Sequence, residues 1–239
     1  MEIPLRTPRT HMLLGVRDQL PNVMGIMPFG MVAGAFTASV IKNDLLSILF
    51  GGAVFAGRAQ LVAMQLITEN APFLVIIFAS VLINARHILY GAALSEYLKN
   101  LSMPRKMLYG FLMTDMSYVI GTPYLKKAVN TSNEPFAHWY FFGSAIMNWS
   151  VWTLGCVLGV LIGSQIPPSW SLDFVPPLTF ITSLVGAMRD RASIACGVVS
   201  GVTAVALADL PWALGLFIGV VLGLAVGMWI GPSKPKVKG

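Results

Sequence analysis

The chain has 239 residues, of which 56% are hydrophobic and only 11% charged, and its mean hydropathy is +0.73; soluble domains carry about 25% charged residues. That balance excludes a soluble globular domain and points to an all-α integral membrane protein, because spans of roughly 20 residues tile the chain and leave no stretch of soluble-domain size. The net charge of +6 is scattered through short connections, which suits orientation in a bilayer and not a nucleic-acid interface.

Residues 1–21 form a mixed, cytoplasmic or interfacial N-terminus with Arg6, Arg9 and Arg17. It has no short apolar stretch followed by a small-residue cleavage site, so it is read as uncleaved. The first span, 23–41, contains Pro28, Phe29 and Gly30, with Gly25 nearby; the lost backbone donor and the glycines predict a broken or kinked helix. The second, 45–68, carries GGAVFAGRAQ, where Gly51, Gly52 and Gly57 predict a break or close backbone approach beside Arg58 and Gln60.

The third span, 72–95, holds Asn84, Arg86, His87 and Tyr90 inside an apolar run. An Arg at the centre of a span costs about 2.5–3.5 kcal/mol, so it survives only where a cavity or partner receives it. Asn84 and Arg86 lie well over a turn from either end, which argues against snorkelling. On a straight helix Asn84, His87 and Gly91 share one face while Arg86 and Tyr90 share another. We read the helix as lying between a substrate cavity and an ion pair, in preference to a local distortion.

A fourth span, 107–125, is interrupted by Thr114 and Asp115, the latter the only acid well inside a span on this map. The fifth, 136–163, carries Asn148 and the series Gly155, Gly159, Gly163, whose spacing lets another helix approach closely. A segment starting at Leu178 is too short for an ordinary span before Arg189. Segments 192–208 and 212–230 follow, the last with Gly215, Gly219, Gly223 and Gly227 on one packing face, and a basic tail covers 232–239. The sequence thus predicts seven or eight hydrophobic segments, some broken or re-entrant, in a single transmembrane domain over 22–231.

If all eight cross, one side collects Arg6, Arg9, Arg17, Lys126, Lys127, Arg189, Arg191, Lys234, Lys236 and Lys238, and the other Lys42, Lys99, Arg105 and Lys106. This places both termini in the cytoplasm, with the 99–106 group as a discrepancy that one re-entrant segment would resolve.

Broken helices supply free N–H groups and carbonyls, and a helix N-terminus favours a carboxylate. Asp115 reads as a proton carrier or a counter-charge for a substrate amino group, in preference to a purely structural partner of Arg86 or Arg58. His87 suits proton movement but also simple packing. Cys156 and Cys196 lie in apolar segments and act as small hydrophobes. The chain has no CxxC, HExxH, P-loop or GxSxG pattern, which argues against metal hydrolysis, nucleotide coupling and serine chemistry, and no metal or other cofactor is expected.

PFG at 28–30, FAGRAQ at 55–60, NARHILYG at 84–91, LMTD at 112–115 and LDFVPPLTF at 172–180 occur in this order. Together they resemble the AzlC-type branched-chain amino acid permease family over about residues 15–230. The resemblance implies an exporter of valine and similar amino acids in the bacterial inner membrane, with a small hydrophobic membrane subunit of the AzlD type. The family pattern usually has a small residue where this chain has Arg58, and often an acid where it has Met116. On this basis the expected substrate site is Pro28, Phe29, Gly30, Gly57, Arg58, Gln60, Asn84, Arg86 and Tyr90. Asp115 and His87 would serve proton coupling or ion pairing, and the glycine face from 215 to 227 would dock the small subunit. The rivals are a membrane-embedded enzyme using His87, Asp115 and Asn84, and a passive channel or structural membrane subunit.

Overall fold

A computed structural model of the chain describes residues 7–128, 135–163, 188, 190–210 and 214–231, and among these every regular element is helical. Helix α1, Pro8–Gln19, starts with Pro8 at its first position and Thr7 as N-cap, the Thr7 hydroxyl accepting from the Thr10 amide at 3.3 Å. It passes through a 3-10 turn, Leu20–Asn22, into α2, Val23–Ile41. Pro8–Ile41 is thereby one helical run of 34 residues, long enough and, in its best 18-residue window, apolar enough to cross a bilayer. The segment expected at the interface is a packed helix, with His11, Gly15 and Gln19 buried.

Helix α2 turns at Lys42, which adopts the left-handed conformation (φ 55), and Asn43 caps α3, Asp44–Val54, by accepting from the Leu46 amide at 3.0 Å. Then follow α4, Gly57–Thr68; α5, Phe73–Asn84; α6, Arg86–Leu98; α7, Met103–Phe111; and α8, Asp115–Lys127. The spans predicted at 45–68, 72–95 and 107–125 are therefore each two helices around a break, and α5 and α6 are bent by 40°. Helix α9, His138–Gly163, runs unbroken for 26 residues. The segment starting at Leu178, the LDFVPPLTF stretch and the tail 232–239 lie outside the described residues.

The contacts divide the chain into two units, Met1–Thr68 with Ile77–Trp170, and Glu69–Ile76 with Ser171–Gly239. In the first, α9 is the central beam, along which α1, α2, α3 and α8 pack. Its glycines make this possible: a Cβ on Gly143 would run into the Met12 carbonyl, one on Gly155 into that of Met27, and one on Gly159 into that of Met31. Gly30 and Gly34 of α2 meet the backbone of Trp152 and Cys156 in the same way. This contact also explains why the break expected at Pro28 is absent. Helix α2 stays continuous through Pro28 because tertiary packing of a whole helix outweighs one lost hydrogen bond.

In the second unit, Asp190 caps α10, Arg191–Ala206, accepting from the Ser193 amide at 2.7 Å and its hydroxyl at 2.6 Å. These two bonds hold the Asp190 carboxyl below its usual range. Helix α11, Leu214–Ile230, lays Gly215, Gly219, Gly223 and Gly227 against Leu207, Ser200, Cys196 and Ala192 respectively, an antiparallel pair. The glycine row expected to dock a small subunit is thus taken up by α10 of the same chain, because close backbone approach is satisfied by the neighbouring helix in sequence. Side chains such as Leu74, Ile88, Val202 and Trp229 are exposed, an apolar exterior suited to hydrocarbon and not to water.

The α2–α9 contact yields a paired test. Gly159→Ala drives a methyl group into a backbone carbonyl, whereas nothing lies within 4 Å of a Cβ on Gly25. Thermal unfolding of the detergent-solubilised protein should show Gly159→Ala melting several degrees lower, with Gly25→Ala neutral or slightly stabilised.

Candidate functional site

Three helix starts converge on one point. At the first, α3 ends with Phe55 in the left-handed conformation at φ 40, a costly backbone geometry for a bulky residue. Its ring is buried and leans on Phe111 at 6.3 Å, which holds it there. The carbonyls near the end of α3 find donors on α9: the Trp152 indole donates to the Gly51 carbonyl and that of Trp149 to the Gly52 carbonyl, each at 3.0 Å. Trp152 and Phe29, in edge contact at 5.4 Å, close over Gly57, where a Cβ would collide with both rings. Helix α4 then opens, with Arg58 in its first turn.

At the second, the helix stops at Asn84 and restarts at Arg86. His87 Nδ1 lies 3.1 Å from the Asn84 carbonyl oxygen; a carbonyl only accepts, so Nδ1 carries the hydrogen and His87 caps the break. The straight helix we favoured from sequence is therefore wrong: the chain is locally distorted at Ala85. Arg86 and Tyr90 nevertheless turn to the same place, as the helical period of α6 requires.

At the third, Thr114 is extended (φ −134, ψ 172) and forms a reciprocal capping box with Ser117. Asp115 is the first residue of α8, where the helix dipole favours a negative charge.

Arg86 Nη1 lies 3.0 Å and Arg58 Nη1 3.5 Å from the same oxygen, Asp115 Oδ2. Both arginines thus share one carboxylate, and each of the three side chains keeps about a third of its surface exposed. Asp115 Oδ1 and Arg86 Nε are buried and have no hydrogen-bond partner. The cluster carries one net positive charge, increased by the roughly +0.5 partial charge of each converging helix start. Tyr90 stands within electrostatic reach of all three groups and stacks on Tyr118 at 4.3 Å.

The other predicted site residues are not all at this point. Gln60 lies on the far side of the first turn of α4 from Arg58; it is fully buried and donates to the Thr37 hydroxyl at 2.8 Å. Gly30 belongs to the α2–α9 contact and Pro28 is exposed, and only Phe29 of that trio approaches the cluster, through Gly57.

Sequence reasoning missed a buried polar line that holds Thr114. Ser144 Oγ donates to Gln19 Oε1 at 3.0 Å, Gln19 Nε2 to Asn148 Oδ1 at 3.3 Å, and Asn148 Nδ2 to Thr114 Oγ1 at 2.7 Å. Gln19 and Ser144 are fully buried and Asn148 almost so. The legible signal was the polar pair Ser144 and Asn148, four apart on an apolar helix. Gln19 had been placed at the interface, so its connection to them was invisible. Beside this line Tyr140 donates to Asp18 at 2.7 Å and stacks on Tyr124, whose hydroxyl lies 2.8 Å from His11 Nδ1.

These features define a helical membrane protein with a charged centre built from broken helices. The AzlC protein family matches residues 21–166, more than half of the chain, and the chain belongs to that family. The inner membrane protein YgaZ of Escherichia coli K12 is 24% identical over 227 residues, 91% of each chain. The branched-chain amino acid transport protein AzlC of Bacillus subtilis is 25% identical over 167 residues, covering 70% of this chain and 63% of that one. An uncharacterized membrane protein of Archaeoglobus fulgidus is 30% identical over 157 residues, 64% of this chain and 63% of the other. No solved structure matches the chain.

Three substitutions probe the site. Asp115→Ala strands two arginines and should lower stability by up to about 3 kcal/mol, under the full buried-pair cost of about 3–5 because the group is partly solvated; Arg58→Ala, which leaves the shorter Arg86 contact, should cost clearly less in the same denaturation assay. Thr114→Val removes the α8 cap and the acceptor of the buried Asn148 amide and should cost about 2–3 kcal/mol, a loss absent for Ser150→Ala, which lies exposed on α9.

Proposed function

We propose that the chain is the large subunit of a secondary transporter exporting branched-chain amino acids, valine and similar substrates, across the bacterial inner membrane. The observation that carries this reading is the unspent bonding capacity of the charge cluster. Arg86 Nε–H and Asp115 Oδ1 have no hydrogen-bond partner, a donor and an acceptor within one ion pair, as the carboxylate and ammonium of a zwitterion require. The B. subtilis relative named as a branched-chain amino acid transport protein supports the same substrate class.

Asp115 also supplies a route to proton coupling. Protonation neutralises the carboxylate, releases the two arginines from their shared oxygen and frees them for the substrate carboxylate. The chain carries no nucleotide-binding motif, so an ion gradient is the energy source. A small hydrophobic subunit of the AzlD type completes the transporter, and the Lys and Arg distribution supports cytoplasmic termini.

Radiolabelled valine counterflow in proteoliposomes, with and without the small subunit, tests the reading, and the label should be recovered as chemically unaltered valine. Asp115→Asn should reduce gradient-driven accumulation at least about tenfold and flatten its pH dependence. If rate and pH profile both survive the substitution, Asp115 has no coupling role. A recovered product other than valine favours the enzyme.

A further inference from the structure

Between α6, α7 and α9 lies a cavity of about 190 Å³. Its walls are Gly91, Leu94, Tyr109, Gly110, Met113 and Phe141, and the surface they present is mainly apolar. The walls are firmly held: Leu94 and Phe141 are fully buried, and the Tyr109 and Phe141 rings stack at 5.8 Å. At the end nearest the α6–α7 connection Lys106 reaches the lining, its ammonium donating to the Lys99 carbonyl at 2.9 Å.

The lining also includes sequence neighbours of the charge cluster. Met113 is two residues before Asp115, a separation of at most about 7 Å along extended chain, and Gly91 follows Tyr90. A small amino acid has about that reach from its carboxylate to the tip of its side chain. An apolar cavity of about 150 Å³ accommodates one benzene ring, so this one has space for an aliphatic group of a few carbons and for little more.

We infer that this cavity receives the aliphatic side chain of the amino acid whose carboxylate and ammonium meet Arg58, Arg86 and Asp115, an inference that rests on the transport function proposed above. The lining chemistry selects the class. Apart from Ser95, Lys106 and Tyr109 the lining carries no polar side chain, so a charged or amide group is poorly paired over most of it, whereas each buried methylene adds favourable transfer free energy. Two absent side chains create the space. A Cβ on Gly110 would meet nothing within 4 Å, and one on Gly91 would only touch the Met113 methyl at 3.8 Å. Size selection therefore falls to Gly91, Gly110, Leu94 and Met113, while the arginines select the carboxylate.

The test is equilibrium binding of leucine, alanine and phenylalanine to the full-length protein in nanodiscs, by calorimetry. Leucine carries three more side-chain carbons than alanine, so wild type should prefer it by about 50-fold. Gly110→Leu, which fills the cavity from α7, should bring that ratio to within about threefold of unity. Leu94→Ala, which enlarges the cavity, should raise phenylalanine affinity relative to leucine by about tenfold, and it carries the test if Gly110→Leu does not fold. Arg86→Ala should weaken leucine and alanine alike and leave their ratio intact. Wild-type ratios in both cavity variants overturn the side-chain assignment and leave the transport reading standing. Loss of a bound phospholipid from Gly110→Leu in native mass spectrometry, with the ratio unchanged, assigns the cavity to an acyl chain and also overturns it. A wild-type protein that binds none of the three, alone and with the small subunit, overturns the transport function, and the side-chain assignment falls with it.

Discussion

Two guanidinium groups sharing one carboxylate oxygen inside an apolar helical unit is the constraint around which the rest of the first unit is arranged. Each of these charges is expensive to remove from water, and one removed without its partner is more expensive than the pair. The three residues come from segments far apart in sequence, and in each segment the helix is interrupted just before the charged side chain. That interruption turns a helix start toward the shared point, where Asp115 gains from the dipole of its own helix and a bound carboxylate would gain from the others.

Interrupting a helix in hydrocarbon releases backbone groups that must find partners within the protein. Different devices meet this need here. Indole N–H groups from α9 reach the Gly51 and Gly52 carbonyls, His87 caps the Asn84 carbonyl from within its own turn, and Thr114 and Ser117 satisfy each other's amides. The unbroken α9 supports two of the three starts, because Trp149, Trp152 and Asn148 all project from it. A straight helix locked by glycine contacts to α1 and α2 is a stiff reference for short helices that meet at their ends.

The same beam joins α1 to the site. Gln19 at the end of α1 is tied through Asn148 to Thr114, the residue that sets where α8 and therefore Asp115 begins. A displacement of α1 along α9 would have to break this buried line or carry Thr114 with it, and a bond lost among buried polar groups is costly.

The sequence by itself determined the class of protein and the identity of the charged centre. Apolar composition and the cost of a charged residue in a span are properties of a residue and its neighbours, and so is helix period. They marked Arg58, Arg86 and Asp115 and put Arg86 and Tyr90 on one face before any contact was known. Tertiary structure alone decided the pairing, because both arginines were eligible and either could have taken Asp115 alone. It also decided that α2 continues unbroken through Pro28, that Gln19 is a buried link and not an interfacial residue, that the chain is distorted at Ala85, and that the glycine row of α11 is filled by α10. Each of these depends on what another segment brings into contact, and a local pattern carries no information about which segment that is.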